Sequence, residues 1–157
     1  MNFKYKKRIR LKHFDYKDNY RYFVTLCTYN KMLVFTNKSK VSWLINVLRK
    51  QSKTSSFRIW AYCFMPDHLH LLTEGVDSDS DMKKFISSYK QCTGFHYKKE
   101  TGLRLWQINY YEHVLRREEE TTALARYISA NPVRKGIVED FAQYELLGSF
   151  EFNINET

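Results

Sequence analysis

Helix and strand breakers are scarce in this chain, with five Gly and two Pro in 157 residues. That excludes collagen-like, low-complexity and Pro-rich classes, each of which needs those residues in quantity. Long apolar runs are also missing. No stretch approaches the roughly 20 apolar residues of a membrane-spanning helix, and the basic segment from Met1 to Lys12 lacks the apolar core of a secretion signal. Cys27, Cys63 and Cys92 are odd in number and outside any CxxC pair. They argue against a disulfide framework or a zinc finger and for free thiols in a reducing cytoplasm.

Acidic residues are outnumbered. Lys and Arg total 26 against 17 Asp and Glu, a formal net charge of +9. A field of that sign draws polyanions and makes nucleic acid the leading partner class, the alternative being a basic soluble protein with no such partner. Twelve Tyr and eleven Phe exceed what a core of this size requires, so some rings are expected at the surface, where they stack unpaired bases beside cations. The length fits one domain over 1–157, opening on a basic arm over 1–20.

Periodicity supplies the elements. Tyr22 to Tyr29 reads as a strand, and Val41, Leu44, Ile45 and Leu48 set a helix from Lys40 that ends in the polar stretch Gln51 to Ser56. Phe57 to Met65 is a second strand, Pro66-Asp67 a tight turn, and His68 to Thr73 a strand pairing back. The acidic stretch Asp77 to Asp81 caps a helix to about Lys99, with Met82, Phe85, Ile86 and Tyr89 on its inner face and Lys83, Lys84, Lys90, Lys98 and Lys99 available to phosphates. A fourth strand is expected near Tyr111 to Leu115. Glu118 to Glu120 then favour a helix N-terminus, Ala123, Leu124, Tyr127 and Ile128 form that helix's apolar side, and Pro132 stops it near Asn131. The order β-α-β-β-α-β predicts an α+β, ferredoxin-like (split βαβ) antiparallel sheet with helices on one face, plus a C-terminal helix carrying Tyr127.

Two places in that frame carry candidate chemistry. On a strand, side chains alternate, so His68 and His70 share a face while Leu69 and Leu71 point to the other. Two converging imidazoles suit a metal ion with open positions for substrate oxygen; two half-buried histidines satisfied by neighbours are the plainer reading. Tyr127 and Asn131, four residues apart on a helix, also share a face. Tyr127 offers a phenol able to attack phosphorus, and Asn131 an oxygen for a metal or a phosphate. Spacing alone, however, assigns Tyr127 to the core among Ala123, Leu124 and Ile128, and Asn131 to helix termination. His13 and His96 read as surface or structural.

Several segments together resemble a known family. Met65-Pro66-Asp67-His68-Leu69-His70-Leu71-Leu72, Trp106-Gln107, Tyr111-Glu112-His113-Val114-Leu115-Arg116, and Tyr127-Ile128-Ser129-Ala130-Asn131-Pro132-Val133 with Gly136 resemble the IS200-like tyrosine transposases, the later segments looking most like the REP-associated branch. The likeness runs in order from about Tyr22 to Val138. It implies a catalytic tyrosine at Tyr127, a His-hydrophobic-His metal pair at His68 and His70, a Mg²⁺ or Mn²⁺ ion, and single-stranded DNA substrates with imperfect hairpins. Insertion-sequence members tend to carry Gln where this chain, like REP-associated members, has Asn131, the position the resemblance implies for a third metal ligand. His113 fits a family pattern in which DNA contact or local structure suits it better than metal binding. Arg116, Arg117, Arg126, Arg134 and Lys135 lie near the tyrosine helix as candidate DNA contacts, a solvated basic face being the alternative for each.

The resemblance implies a metal-dependent single-strand endonuclease that nicks and rejoins DNA through a 5′-phosphotyrosine, in the cytoplasm and with the nucleoid of a prokaryote. A non-catalytic hairpin DNA- or RNA-binding protein, and a phosphodiesterase in which water attacks, are the competing readings. Monomer and homodimer both remain open.

Overall fold

The computed structural model describes residues 11–116 and 119–154. The chain runs through β1 (Arg21–Cys27), α1 (Lys38–Thr54), β2 (Phe57–Met65), β3 (His68–Gly75), α2 (Met82–Thr101), β4 (Tyr111–Val114), α3 (Thr121–Ser129), a one-turn α4 (Asn131–Arg134) and a short β5 (Leu147–Gly148). The strands form one antiparallel sheet in the order β4-β1-β3-β2-β5. The first four have the split βαβ arrangement expected, and β5 extends the β2 edge, pairing Tyr62 with Gly148. Among the described residues, no helix is long and apolar enough to cross a membrane.

Alternation along the strands produces two cores. Tyr22, Val24 and Leu26 of β1 and Leu69 and Leu71 of β3 pack with Val41, Leu44 and Leu48 of α1 and Phe85, Ile86 and Tyr89 of α2. The opposite face presents Phe23, Ala61, Cys63, Met65 and Leu72 to Leu124, Ala125 and Ile128 of α3. Burying Leu124 and Ile128 contributes about 1.5–3 kcal/mol each, which fixes α3 against the sheet. Two cores also consume the aromatics: Tyr16, Tyr22, Tyr62, Tyr89, Phe23, Phe35, Phe57, Phe64 and Phe85 are all buried. The surplus of rings expected for base stacking is therefore reduced to a few, among them Tyr20, Tyr29 and Phe95.

Caps set the helix ends. Asn37 accepts hydrogen bonds from the Ser39 and Lys40 N–H groups, so α1 starts at Lys38, two residues before the expected Lys40. Asp81 accepts from the Lys84 N–H at the start of α2, and Gly102, at φ 73°, closes that helix by donating to the Lys98 carbonyl. Pro132 does not stop α3. The helix ends at Ser129, and Pro132 sits in the first turn of α4, where its missing N–H costs nothing. The helix α3 starts directly after the acidic run, as expected, but without a side-chain cap. Glu120 stands at the cap position without a side-chain hydrogen bond, Glu119 turns to other partners, and Glu118 lies outside the described residues.

Gly75 ends β3 where the chain before β1 crosses it. A Cβ there would lie 2.1 Å from the Asp18 carbonyl oxygen, so only glycine admits the crossing.

Candidate functional site

Pro66-Asp67 is a two-residue connection, and it pairs Met65 directly with His68. Register then places Thr25 of β1 and Cys63 of β2 on either side of His70, and Tyr111 of β4 beyond Thr25. This row lies on the face that α3 covers. His70 is almost fully buried, at 4% exposure, and stacks on Phe23 with ring centroids 5.4 Å apart. His68, at the open end of the strand, is 16% exposed at its side chain.

The two imidazoles converge through Nε2, with His68 Nε2 3.1 Å from His70 Nε2. Their other nitrogens are occupied. Asp67 Oδ1 lies 2.5 Å from His68 Nδ1, and Thr25 Oγ1 lies 2.8 Å from His70 Nδ1. Burial, reinforced by His68 and by the nearby Arg134 and Lys135, holds the His70 imidazole well below its ordinary pKa, so the ring is neutral at neutral pH. Neutral imidazole is the form that binds metals. Two ligands at right angles, each about 2.1 Å from one octahedral ion, stand roughly 3.0 Å apart, so the observed spacing fits a shared ion. Among the described residues, no three His, Cys, Asp or Glu side chains group into a metal cluster.

The helix α3 packs on β2 and on β3, the strand that carries both histidines; behind burial and His68, the charges of Arg134 and Lys135 that follow it also lower the His70 pKa. On that helix Leu124 and Ile128 enter the core, whereas Tyr127, expected there from spacing, is only half-buried. The Arg134 guanidinium lies 4.0 Å from the Tyr127 ring centroid and donates to the Tyr127 carbonyl at 2.9 Å. Arg134 thus touches the tyrosine while its charge reaches His70. Asn131, at 6% exposure, is buried at the start of α4.

The other predicted residues separate. His113 Nε2 pairs with the Glu119 carboxylate at 3.0 Å, linking β4 to the entry of α3. Burial pushes Glu119 up, but the Arg116 N–H and His113 outweigh it and hold the carboxyl below its ordinary value. Arg116, Arg126, Arg134 and Lys135 are exposed, and Arg117 lies outside the described residues. Lys90 is engaged with the Gln107 and Ile108 carbonyls at 2.8 Å each. Sequence reasoning missed Arg21, whose guanidinium donates to the Arg116 and Glu119 carbonyls and to Thr121 Oγ1, clamping the β4–α3 connection. It also missed Thr25 and Asp67 as partners of the histidines; a threonine inside an apolar strand and a carboxylate next to a histidine were the available signals.

Residues 16–131 match the family model described as "Transposase IS200 like", a span that takes in both histidines, Tyr127 and Asn131. The chain belongs to that family. A Haemophilus influenzae protein provisionally named a REP-associated tyrosine transposase is 28% identical over 142 residues, covering 80% of this chain and 77% of its own length. The REP-associated tyrosine transposase of Escherichia coli K12 is 26% identical over 102 residues, 64% of this chain and 59% of that protein. A solved REP-associated tyrosine transposase bound to a REP hairpin aligns with a TM-score of 0.71 at 20% identity, covering 89% of this chain and 82% of that one. At that identity the likeness speaks for the fold, which is the same α+β arrangement.

Proposed function

We propose that this transposase-family chain cuts and rejoins single-stranded DNA beside an imperfect hairpin, using Tyr127 as nucleophile. The observation that carries the reading is the Nε2 pair of His68 and His70, 3.1 Å apart and tied back at both Nδ1 atoms, on the sheet face beneath the tyrosine helix. His68, His70 and the Asn131 amide oxygen would hold a divalent ion, Mg²⁺ or Mn²⁺, with water and phosphate oxygens completing its shell; two nitrogen donors favour Mn²⁺ of the two. Such an ion supplies Lewis-acid charge to the phosphodiester and so lowers the demand on a weak phenol nucleophile.

The chain's own groups do the rest. Tyr127 Oη forms a bond to phosphorus, the bond from phosphorus to the 3′ oxygen breaks, and the phenolic proton ends on that departing oxygen. The products are a 5′-phosphotyrosine and a free 3′-OH, and the reverse attack by a 3′-OH rejoins a strand without loss of the ester's energy. Arg134, stacked on the ring, holds the phenol in place and presents positive charge to the phosphate. Arg116, Arg126 and Lys135 are exposed and suit backbone contacts; Arg117 is a further candidate by its place in the sequence alone. The His113–Glu119 pair suits local structure more than DNA contact.

Labelled hairpin-bearing single strands incubated with the protein and Mn²⁺ are expected to give a protein–DNA adduct that survives denaturant, together with a shortened strand ending in an extendable 3′-OH. Binding without cleavage, across several hairpins and both metals, would leave a hairpin-binding module. Cleavage with a free 5′-phosphate and no adduct would assign the attack to water.

A further inference from the structure

His68 and His70 face each other through Nε2, which turns both Nδ1 atoms outward, one to a carboxylate and one to a hydroxyl. These partners differ in chemistry. The Asp67 carboxylate only accepts, so the hydrogen between Asp67 and His68 belongs to Nδ1, and neutral His68 presents a lone pair at Nε2. The Thr25 hydroxyl both donates and accepts, so it serves His70 in either tautomer. We infer that Asp67 and Thr25 are the positioning residues of this site, Asp67 fixing the His68 tautomer and Thr25 allowing His70 to exchange its own when an ion enters between the Nε2 atoms. The inference rests on the metal reading above.

Two Nε2 lone pairs 3.1 Å apart would repel, so in the ion-free protein one nitrogen carries a hydrogen. Asp67 leaves His70 to carry it. His70 Nε2–H then donates to His68 Nε2, while His70 Nδ1 accepts from the Thr25 hydroxyl. For both Nε2 atoms to offer lone pairs to an ion, the His70 hydrogen would have to leave Nε2 for solvent while Nδ1 takes one up, and the bond to Thr25 would then reverse direction. The ring stays neutral throughout, and His68 does not change. Both partners are held in advance. The Asp67 carbonyl accepts from the Thr28 N–H at 2.9 Å and from Thr28 Oγ1 at 3.1 Å, while Thr25 is 1% exposed and paired with His70 by register. Rings whose rotation and tautomer are fixed before binding lose less on capturing an ion, which is why such outer partners are commonly worth about 10- to 100-fold in metal affinity.

The test reads tautomers and ion uptake, with no DNA present. Long-range ¹H–¹⁵N correlation spectra of histidine-labelled protein are expected to show lone-pair nitrogens at His68 Nε2 and His70 Nδ1, and saturating Mg²⁺ is expected to move the His70 hydrogen to Nδ1. Asp67→Ala should release His68 into mixed tautomers and raise the Mn²⁺ dissociation constant, measured by electron paramagnetic resonance, by about 10- to 100-fold. Asp67→Asn, whose amide oxygen accepts the same hydrogen, should recover the wild-type spectrum and most of the affinity, and Thr25→Ser should behave as wild type where Thr25→Val does not. Wild-type His68 with its hydrogen on Nε2, or unchanged Mn²⁺ affinity in Asp67→Ala, would overturn the positioning role and leave the metal site standing. Wild type that takes up no Mn²⁺ would overturn the metal reading and the inference with it. If Asp67→Ala does not fold, the wild-type spectrum and Asp67→Asn decide the question.

Discussion

Tyr127→Phe is expected to abolish the covalent adduct and to lower strand cleavage by roughly 10⁴- to 10⁶-fold, the scale seen when a covalent nucleophile is removed. The change deletes one oxygen from a ring that is half-buried rather than part of the core. The phenyl face remains for the Arg134 guanidinium, 4.0 Å away, so helix position and thermal midpoint should hold to within a few degrees. Hairpin affinity should hold as well, because phosphate neutralisation by cations supplies most of it. Gel-resolved adduct formation and a thermal melt on the same preparation separate lost chemistry from lost fold. Cleavage at the wild-type rate in Tyr127→Phe would transfer the attack to water.

His68→Ala, or removal of the ion by a chelator, is expected to reduce cleavage by at least about 10³-fold while changing hairpin binding less than about threefold. Charge sets the asymmetry. The net +9 of the chain draws DNA with or without the ion, whereas a phenol is a weak nucleophile that needs the phosphate activated. His68 is the better site for this variant because it stands at the open end of β3; truncating the buried His70 would also leave a cavity beside Phe23. Gel shifts in chelator and cleavage across a Mn²⁺ titration give the two readouts. Binding that collapses with the ion would make it an anchor for DNA, and cleavage that persists in chelator would remove it from the reaction.

The fold was readable wherever periodicity and turn chemistry agree. Strand alternation put His68 and His70 on one face and Leu69 and Leu71 on the other, and Pro66-Asp67 marked the hairpin to the residue. What escaped was set by local hydrogen bonds or by tertiary packing. Asn37 begins α1 before any apolar residue signals it, and Pro132 initiates a turn that looks from sequence like a stop. The count of aromatics implied exposed rings because a sheet with cores on both faces holds more of them than a one-faced sheet.

The candidate site divides in the same way. The histidine pair follows from strand geometry, but its outer partners do not: Thr25 is 45 residues from His70 and meets it only through the β1–β3 register. Tyr127 sits among apolar neighbours in sequence, and four-residue spacing sends such a residue inward. Its half-exposed position depends on Leu124 and Ile128 taking the core and on Arg134 returning to cover the ring, a contact made across the break between α3 and α4. Without the family resemblance, Tyr127 would have been left in the core.

Mass mapping of the trapped adduct tests the central claim most directly. After cleavage of a hairpin-bearing strand with Mn²⁺, nuclease trimming and proteolysis, the nucleotide phosphate should be found on the peptide containing Tyr127, esterified to its phenolic oxygen and absent from every other tyrosine. A nucleotide mass on a different residue, or efficient cleavage with no modified peptide, would contradict the account.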